Sequence, residues 1–188
     1  MDLTKQIRPS NHSGIMELKD YGITLEPLNI ESIETVRIWR NQTQVNQFMD
    51  YQKIISREEQ LDWFKKIQNS NSAYYIIKKG NDQIGMIHLN QINNTTKSAE
   101  AGIFIGNNDF NGTGITLGAS LLLLNHAFTT LELEIIYAKV KNSNSNAIKY
   151  NQLLGFTEDN PFNSEFTIWK IMNTTFFDIK PKLIQLLY

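Results

Sequence analysis

The sequence contains no cysteine, and its charge is almost balanced. The missing thiols exclude disulfide bonds, thiolate metal sites and a cysteine nucleophile. With 18 basic and 19 acidic residues the formal net charge is -1, so no global basic field favours nucleic acid or an anionic membrane as a partner. We therefore expect no nucleic-acid partner and no membrane partner.

Long apolar runs are also missing. The N-terminal residues Met1 to Gln6 contain no apolar signal core, and no apolar run approaches the length that spans a membrane. These absences predict a soluble, cytoplasmic protein. At 188 residues the chain suits one domain with a real core and is short for two, and it shows neither an internal repeat nor a linker. We expect a polar N-terminal extension over residues 1–18 and a single domain over residues 19–188.

A loop that contains two glycines is the most informative segment. Residues 109–116, DFNGTGIT, follow a strand-like run over 101–105 and open a helix-like run over 117–130. Glycines let the backbone turn tightly with nothing bulky over its N–H groups, which then point outward where the helix dipole favours anions. The loop therefore predicts a phosphate cradle, with an ordinary strand-to-helix connection as the alternative.

The rest of the chain alternates between strand and helix patterns. Strands are predicted over 23–28, 73–78, 83–91, 98–105, 134–140 and 166–172, and the third and fourth of them should form an antiparallel pair. Helices are predicted over 33–39, after the capping box Ser56-Arg57-Glu58-Glu59, over 117–130, up to Leu154 after several possible caps in 142–145, and over 176–187 with a break at Pro181. The helix after the capping box has an apolar stripe of Leu61, Phe64 and Ile67. The order β-α-α-β-β-β-α-β-α-β indicates an α/β fold with a mixed sheet.

Three of these segments resemble the GCN5-related N-acetyltransferase (GNAT) family, and they occur in the family's order. They are the central strand 101–105, the loop 111–116 and the helical segment 144–156, which ends in Gly-Phe. The resemblance covers residues 20–173. It implies a mixed, mostly antiparallel sheet flanked by helices, with splayed central strands and a bulge in the central strand. The family loop usually begins with Arg or Gln and ends with Gly or Ala, whereas this chain has Asn111 and Thr116.

The same resemblance implies acetyl-CoA as the co-substrate and no metal. In the family, free backbone groups of the parted central strand hold the pantetheine arm, and the loop holds the pyrophosphate. By matching position the cofactor-binding residues are Ile103, Phe104, Ile105, Asn111, Gly112, Thr113, Gly114, Ile115, Thr116 and Asn144. A plain helix cap is the alternative for Asn144.

The chemistry needs a base or a water chain, because an amine must lose a proton before it attacks the thioester. Glu100 is the first candidate, since alternation along the strand places it on the face of Gly102, and His88 on the neighbouring strand is the second. The alternatives are that Glu100 is an ordinary exposed carboxylate on a strand, and that His88 is a structural strand histidine whose ring nitrogens are hydrogen-bonded. Asn151 stands where the family usually has a tyrosine acid, and Tyr150 points about 100° away around the helix. We expect weak acid assistance, with Asn151 contacting the sulfur.

Residues 36–64 resemble a narrower group, the acetyltransferases of the pseudaminic acid pathway type, which act on nucleotide-linked amino sugars. The likeness lies in VRIWRN at 36–41 and EEQLDWF at 58–64. By matching position Arg40 and Met49 help to hold the nucleotide, and Gln60 replaces a histidine. The predicted acceptor is therefore the primary amine of a nucleotide-linked amino sugar. A homodimer is expected by analogy.

Two other functions stay open. Residues 84–89 and 98–100 also resemble the spermidine and ribosomal-protein acetyltransferases, so a polyamine or a protein N-terminus is an alternative acceptor. A polyamine site should be strongly acidic, and the cations Arg40 and Lys53 dilute the acidic residues near them. The altered loop ends and the absent tyrosine also allow a catalytically weak CoA-binding module.

Overall fold

The computed structural model describes residues 15–110 and 112–188. The strands are β1 Leu18–Asp20, β2 Ile23–Pro27, β3 Ala73–Lys79, β4 Asp82–Asn93, β5 Ser98–Ile105, β6 Ile135–Lys141, β7 Thr157–Pro161 and β8 Phe166–Met172. The helices are α1 Ile33–Asn41, α2 Thr43–Asn46, α3 Arg57–Ile67, α4 Ile115–Thr129, α5 Ser145–Leu153 and α6 Asn173–Gln185, with a 3₁₀ turn at Asn108–Phe110. Of the predicted N-terminal extension, residues 1–14 lie outside the described part, and Leu18 already belongs to the sheet.

In the described part of the chain the strands form one sheet in the order β1-β2-β3-β4-β5-β6-β8-β7. Neighbours pair antiparallel except β5 and β6, which are parallel. The parallel pairing joins only Ser98–Glu100 to Ile135–Tyr137, although both strands continue beyond it. The strands therefore part after Glu100 and Tyr137, which confirms the predicted splay in the middle of a mixed, mostly antiparallel sheet.

Helices cover both faces of the sheet. The larger core lies between the sheet and helices α4 and α6, and it includes Leu25, Leu89, Leu121, Ile136 and Phe176. The smaller core lies between the sheet and helices α1 and α3, and it includes Val36, Trp39, Phe64, Ile76 and Met86. Because side chains alternate along a strand, β5 turns Ala101, Ile103 and Ile105 toward α4, and Glu100, Gly102 and Phe104 toward α1.

The last helix does not break at Pro181, so this expectation was wrong. Helix α6 runs from Asn173 to Gln185 with Pro181 inside it. Proline removes one backbone hydrogen bond and disfavours a helix interior. Here Phe176 and Leu183, on either side of the proline, are both buried in the larger core. This packing holds the two halves of the helix in line.

Three smaller features also differ from the expectations. Strand β7 was not predicted, because its sequence TEDNP is polar and it lies at the edge of the sheet, where no alternating burial marks it. Leu61 in the predicted stripe is 37% exposed, and the buried positions of α3 are Gln60 and Phe64. The bulge near the gap lies in β4 rather than in β5, at Gln91, whose φ is 52°.

Candidate active site

A cavity of about 370 Å³ lies in the gap where β5 and β6 part. It reaches both faces of the sheet. Toward α4 and α5 its wall is mostly apolar and includes Ile103, Leu123 and Val140, and toward α1 it is polar and includes Glu100 and Lys139. We call this cavity the central cleft. Two reactants that entered from opposite faces would meet inside it.

The central cleft brings together several residues that the sequence predicts as site residues. Its lining includes Arg40, Met49, His88, Glu100, Ile103, Asn144 and Asn151. Phe104 and Ile105 follow on β5 outside this lining: Phe104 packs against Trp39, and Ile105 packs into the larger core. Gln60 and residues 112–116 also lie outside it. Asn111 lies outside the described residues.

The loop before α4 presents backbone rather than side chains. Gly112 has a φ of 73°, a conformation that favours glycine, and Gly114 is the N-cap of the helix with a φ of -64° and no side-chain cap. In the described part of the chain, the N–H groups of Gly114, Ile115 and Thr116 have no acceptor. Ile115 turns its side chain into the core.

The space over this loop is open. Gly112, Thr113 and Gly114 are exposed, and a Cβ built on Gly114 would meet only Leu187 Cδ2, at 3.4 Å. Thr113 is held by its N–H and Oγ1, which both bond to the carbonyl oxygen of Phe110. Free N–H groups at the start of a long helix are suited to a phosphate group. The loop therefore fits the pyrophosphate of acetyl-CoA.

Glu100 lies at the point where the strands part, because it is the last β5 residue paired with β6 and its partner there is Tyr137. Burial raises the pKa of its carboxyl group, Lys139 lowers it, and Asp50 raises it further. A carboxyl with a raised pKa accepts a proton more readily near neutral pH. The position and the electrostatics of Glu100 both suit a base.

His88 lies on β4 opposite Gly102, beside Glu100 on the same face of the sheet. Its ring stacks on Tyr74 with the centroids 5.0 Å apart, and its Nδ1 is shielded from solvent without a partner among the described residues. Burial, and then the charge of Arg40, lower the pKa of His88 to about 4. The imidazole is therefore neutral at physiological pH, and its lowered pKa suits a base less well than the raised pKa of Glu100.

Arg40 is a partly buried cation that forms no ion pair with any described carboxylate. Its Nε is shielded from solvent and lacks an acceptor in the same part of the chain. Arg37, three residues earlier, pairs with Glu34 at 2.8 Å and donates to the carbonyl oxygen of Ile55. Burying an unpaired charge is costly, so Arg40 suits an anionic ligand and Arg37 supports the fold.

A second cavity, of about 510 Å³, lies between α1 and α3 and shares Arg40 and Tyr51 with the central cleft. Gln60 lines it and is only 4% exposed, and its Nε2 has no acceptor among the described residues. Trp63 forms part of its wall. The three predicted substrate residues therefore lie along adjoining cavities, with Met49 in the first, Gln60 in the second and Arg40 between them.

Helix α5 supplies the remaining predicted residues. Asn144 caps the helix through its Oδ1, which accepts the N–H of Ala147 at 3.0 Å, and it also lines the central cleft. The amide nitrogen of Asn151 donates to the carbonyl oxygen of Ala147 at 2.8 Å. The Tyr150 hydroxyl lies 2.8 Å from the carbonyl oxygen of Thr116 and 2.7 Å from Ser120 Oγ. Tyr150 thus joins α5 to the first turn of α4.

The sequence reasoning missed several residues of the cleft. Lys139 and Lys141 of β6 could have been found by alternation, because they share a face with Tyr137, the partner of Glu100. Asp50 and Tyr51 lie in a segment without periodicity, so no local signal marked them. Among residues 15–110 and 112–188, no group of three histidine or acidic residues could hold a metal ion. No helix in the same ranges has both the length and the apolar character to cross a membrane.

Comparisons with known proteins agree with this geometry. Residues 23–157 match the family model of the acetyltransferase (GNAT) domain. Acetyltransferase PseH from Campylobacter jejuni is 35% identical over 139 residues, which cover 72% of this chain and 85% of that protein. Spermidine N(1)-acetyltransferase from Escherichia coli is 25% identical over 79% of this chain and 80% of its own. The crystal structure of spermidine N-acetyltransferase from Vibrio cholerae in complex with CoA and spermine has a TM-score of 0.73, with 20% identity over 84% of this chain and 99% of that one.

Proposed function

The chain belongs to the GNAT family of acetyl-CoA-dependent N-acetyltransferases, and from this premise we propose that its acceptor is the primary amine of a nucleotide-linked amino sugar. This chain is more similar to the relative named PseH, at 35% identity, than to the spermidine acetyltransferase, at 25%. The likeness therefore favours an amino sugar over a polyamine as the acceptor. The acceptor would carry negative charge on its phosphates, and the charges that line the site decide whether such a molecule fits.

The observation that carries the proposal is that Arg40 pairs with no carboxylate in residues 15–110 and 112–188. It lies between the central cleft and the second cavity, so it can meet a group that extends through both. Lys141 also lines the cleft, and its ammonium is held by a carbonyl oxygen, that of Gln47, rather than by a carboxylate. A polyamine carries several positive charges and would be repelled by these cations, whereas a diphosphate would pair with them. Carboxylates also line the two cavities, but Asp50 is paired with Lys139 and Asp62 with Lys65, and Glu59 accepts hydrogen bonds from Tyr51 and Ser56.

The second cavity suits the nucleoside part of such an acceptor. Gln60 offers a shielded amide N–H₂ that lacks an acceptor in the described part of the chain, and nucleobases present carbonyl oxygens that can accept from it. The Trp63 indole in the same wall provides an apolar surface. Met49 lines the central cleft together with Arg40, and the two would help to hold the nucleotide.

The reaction then needs few groups. Acetyl-CoA supplies an activated thioester, and the N–H groups of Gly114, Ile115 and Thr116, which have no acceptor in the described part of the chain, would hold its diphosphate. The edge of β5 beyond Glu100, which β6 leaves unpaired, would hold the pantetheine arm through Ile103, Phe104 and Ile105. Glu100 takes the proton from the acceptor ammonium, and the neutral amine attacks the carbonyl carbon of the thioester. The amide C–N bond forms, the C–S bond breaks, and the nitrogen gives its second proton to solvent. The CoA thiolate leaves beside Asn151, which lines the cleft and would contact the sulfur, and the thiolate takes its proton from solvent. Holding both reactants in one cleft supplies much of the rate.

The test combines binding with turnover. Calorimetry measures the affinity for acetyl-CoA, and thiol release is then followed with a nucleoside-diphosphate-linked amino sugar, the same sugar without the nucleotide, spermidine and a peptide with a free N-terminus. We expect the highest kcat/KM for the nucleotide-linked sugar. A higher value for spermidine or for the peptide would overturn the proposed acceptor. Tight binding without thiol release for any amine would favour the inert CoA-binding module.

A further inference from the structure

Residues Gln47 to Asp50 cross the α1-side opening of the central cleft; we call this segment the strap. Two lysines of β6 hold it in place. Lys139 Nζ lies 2.6 Å from Asp50 Oδ2, and Lys141 Nζ donates to the carbonyl oxygen of Gln47 at 3.1 Å. The strap thus joins the α1 side of the gap to the β6 side, and its residues 48–50 line the cleft.

The ion pair lies close to the point where the strands part. Lys139 follows Tyr137 by two residues, so it shares the face of Glu100, the partner of Tyr137. The side chain of Lys139 is 20% exposed, and its ammonium lies 4.7 Å from the centroid of the Phe162 ring. Because this cation is partly shielded from water, its charge acts on Glu100 with less screening than a surface charge would.

We propose that Asp50 and Lys139 are positioning residues for the acetyl transfer. They hold the strap over the α1-side opening of the central cleft, where the acceptor would enter, and they set the charge balance in which Glu100 accepts a proton. This inference rests on the proposed function. Other groups face the same space from the elements packed around it. They are Arg40 from α1, Tyr51 next to the strap, Tyr74 from β3, His88 from β4 and Lys141 from β6.

The two partners of the ion pair shift the pKa of Glu100 in opposite directions. The carboxylate of Asp50 raises the pKa of Glu100, and the ammonium of Lys139 lowers it. Removing either partner breaks the same ion pair and loosens the strap in the same way. A role limited to structure therefore predicts similar effects for the two variants, whereas a role in charge balance predicts opposite ones.

The experiment compares Asp50→Asn, Lys139→Met and the double variant by two measurements. The first is an NMR titration of ¹³C-labelled glutamate carboxyl groups, in which the Glu100 signal is assigned with Glu100→Gln. The second is the ratio of kcat/KM at about pH 6 to that at about pH 8, which reports protonation of the base. We expect Lys139→Met to raise the titration midpoint of Glu100 and lower the ratio about threefold, Asp50→Asn to do the opposite, and the double variant to fall between them.

Lys78→Met is the matched control, because Lys78 forms a comparable ion pair with Glu26 and is 23% exposed, and it lies at the other end of β3 from Tyr74. It should leave both measurements unchanged. Shifts in the same direction for Asp50→Asn and Lys139→Met, or no shift of Glu100 in either, would overturn this inference alone. A Glu100→Gln variant with full turnover would instead overturn the proposed base, and the inference with it.

Discussion

The imidazole ring of His88 fills the space that a side chain on Gly102 would need, because the two residues lie opposite each other on β4 and β5. The ring in turn stacks on Tyr74, whose hydroxyl donates to Asn90 at 2.5 Å. Gly102 thus lets an aromatic layer lie flat on the sheet beside Glu100. This contact sets the shape of the α1-side wall of the central cleft.

We expect Gly102→Ala to lower the free energy of unfolding by about 1–3 kcal/mol, because a methyl group at this position overlaps the His88 ring. Adding His88→Ala should recover much of this loss, and urea denaturation of the single and double variants measures the coupling. Gly85→Ala is the control, since its methyl group would overlap the backbone carbonyl of Phe104, and removing His88 cannot relieve that clash. Equal costs of Gly102→Ala with and without His88 would contradict this account.

Two arginines on one helix should separate ligand binding from stability. Arg40→Met should raise the KM for the nucleotide-linked acceptor by about 10- to 100-fold, the size expected for a lost charged hydrogen bond. Arg40→Met should leave the melting temperature unchanged or raise it, because the variant removes a charge that has no carboxylate partner in the described part of the chain. Arg37→Met should lower stability, because Arg37 pairs with Glu34 and holds the Ile55 carbonyl, and it should leave the KM unchanged. The reverse pattern in steady-state kinetics and thermal unfolding would show that Arg37 is the ligand-binding arginine.

Local signals explain which elements the sequence could predict. The capping box at Ser56 is present with both of its hydrogen bonds, because it depends only on two residues three positions apart. Alternation along β5 correctly placed Glu100 on the face of Gly102. Phe64, in the stripe predicted for α3, packs in the smaller core. In each case a short pattern contained the information.

The parts that were missed depend on contacts between distant segments. The strap reaches β6 through residues 89 positions apart, Asp50 and Lys139, and no periodicity in residues 47–50 indicates this contact. Gln60 was assigned to the acceptor site by its place in the sequence, but only the packing of α1 on α3 reveals that its amide faces a separate cavity. The continuity of α6 through Pro181 likewise follows from burial of Phe176 and Leu183, which outweighs a local preference.

The raised pKa of Glu100 gives the stability a specific dependence on pH. A carboxyl whose pKa is higher in the folded state binds its proton more tightly there than in the unfolded state, so it makes stability fall as pH rises through that pKa. Glu100→Gln removes this fall. We expect the variant to gain thermal stability relative to the wild type at about pH 8 and less at about pH 5. A gain in melting temperature that is equal at the two pH values would contradict a raised pKa.

Glu100→Gln should also lower kcat by about 100-fold near neutral pH, the lower end of what a general base contributes. The loss should be smaller at high pH, where more of the acceptor amine is already neutral. Steady-state kinetics over a range of pH measure both effects. A variant as fast as the wild type at every pH would exclude Glu100 as the base.

Gly114 allows a test of the phosphate cradle in which one backbone N–H is removed and the fold is kept. Its φ of -64° matches proline, and its N–H has no acceptor in the described part of the chain, so Gly114→Pro should leave the melting temperature near that of the wild type. We expect Gly114→Pro to weaken CoA binding by about 10- to 100-fold in calorimetry, because one hydrogen bond to a charged phosphate is lost.

Gly114→Ala is the matched control. It keeps the N–H and meets only Leu187 Cδ2 at an ordinary distance of 3.4 Å, so it should bind CoA far more tightly than the proline variant. Equal affinities of the two variants would show that this N–H does not face the diphosphate, and the assignment of the loop would then fail.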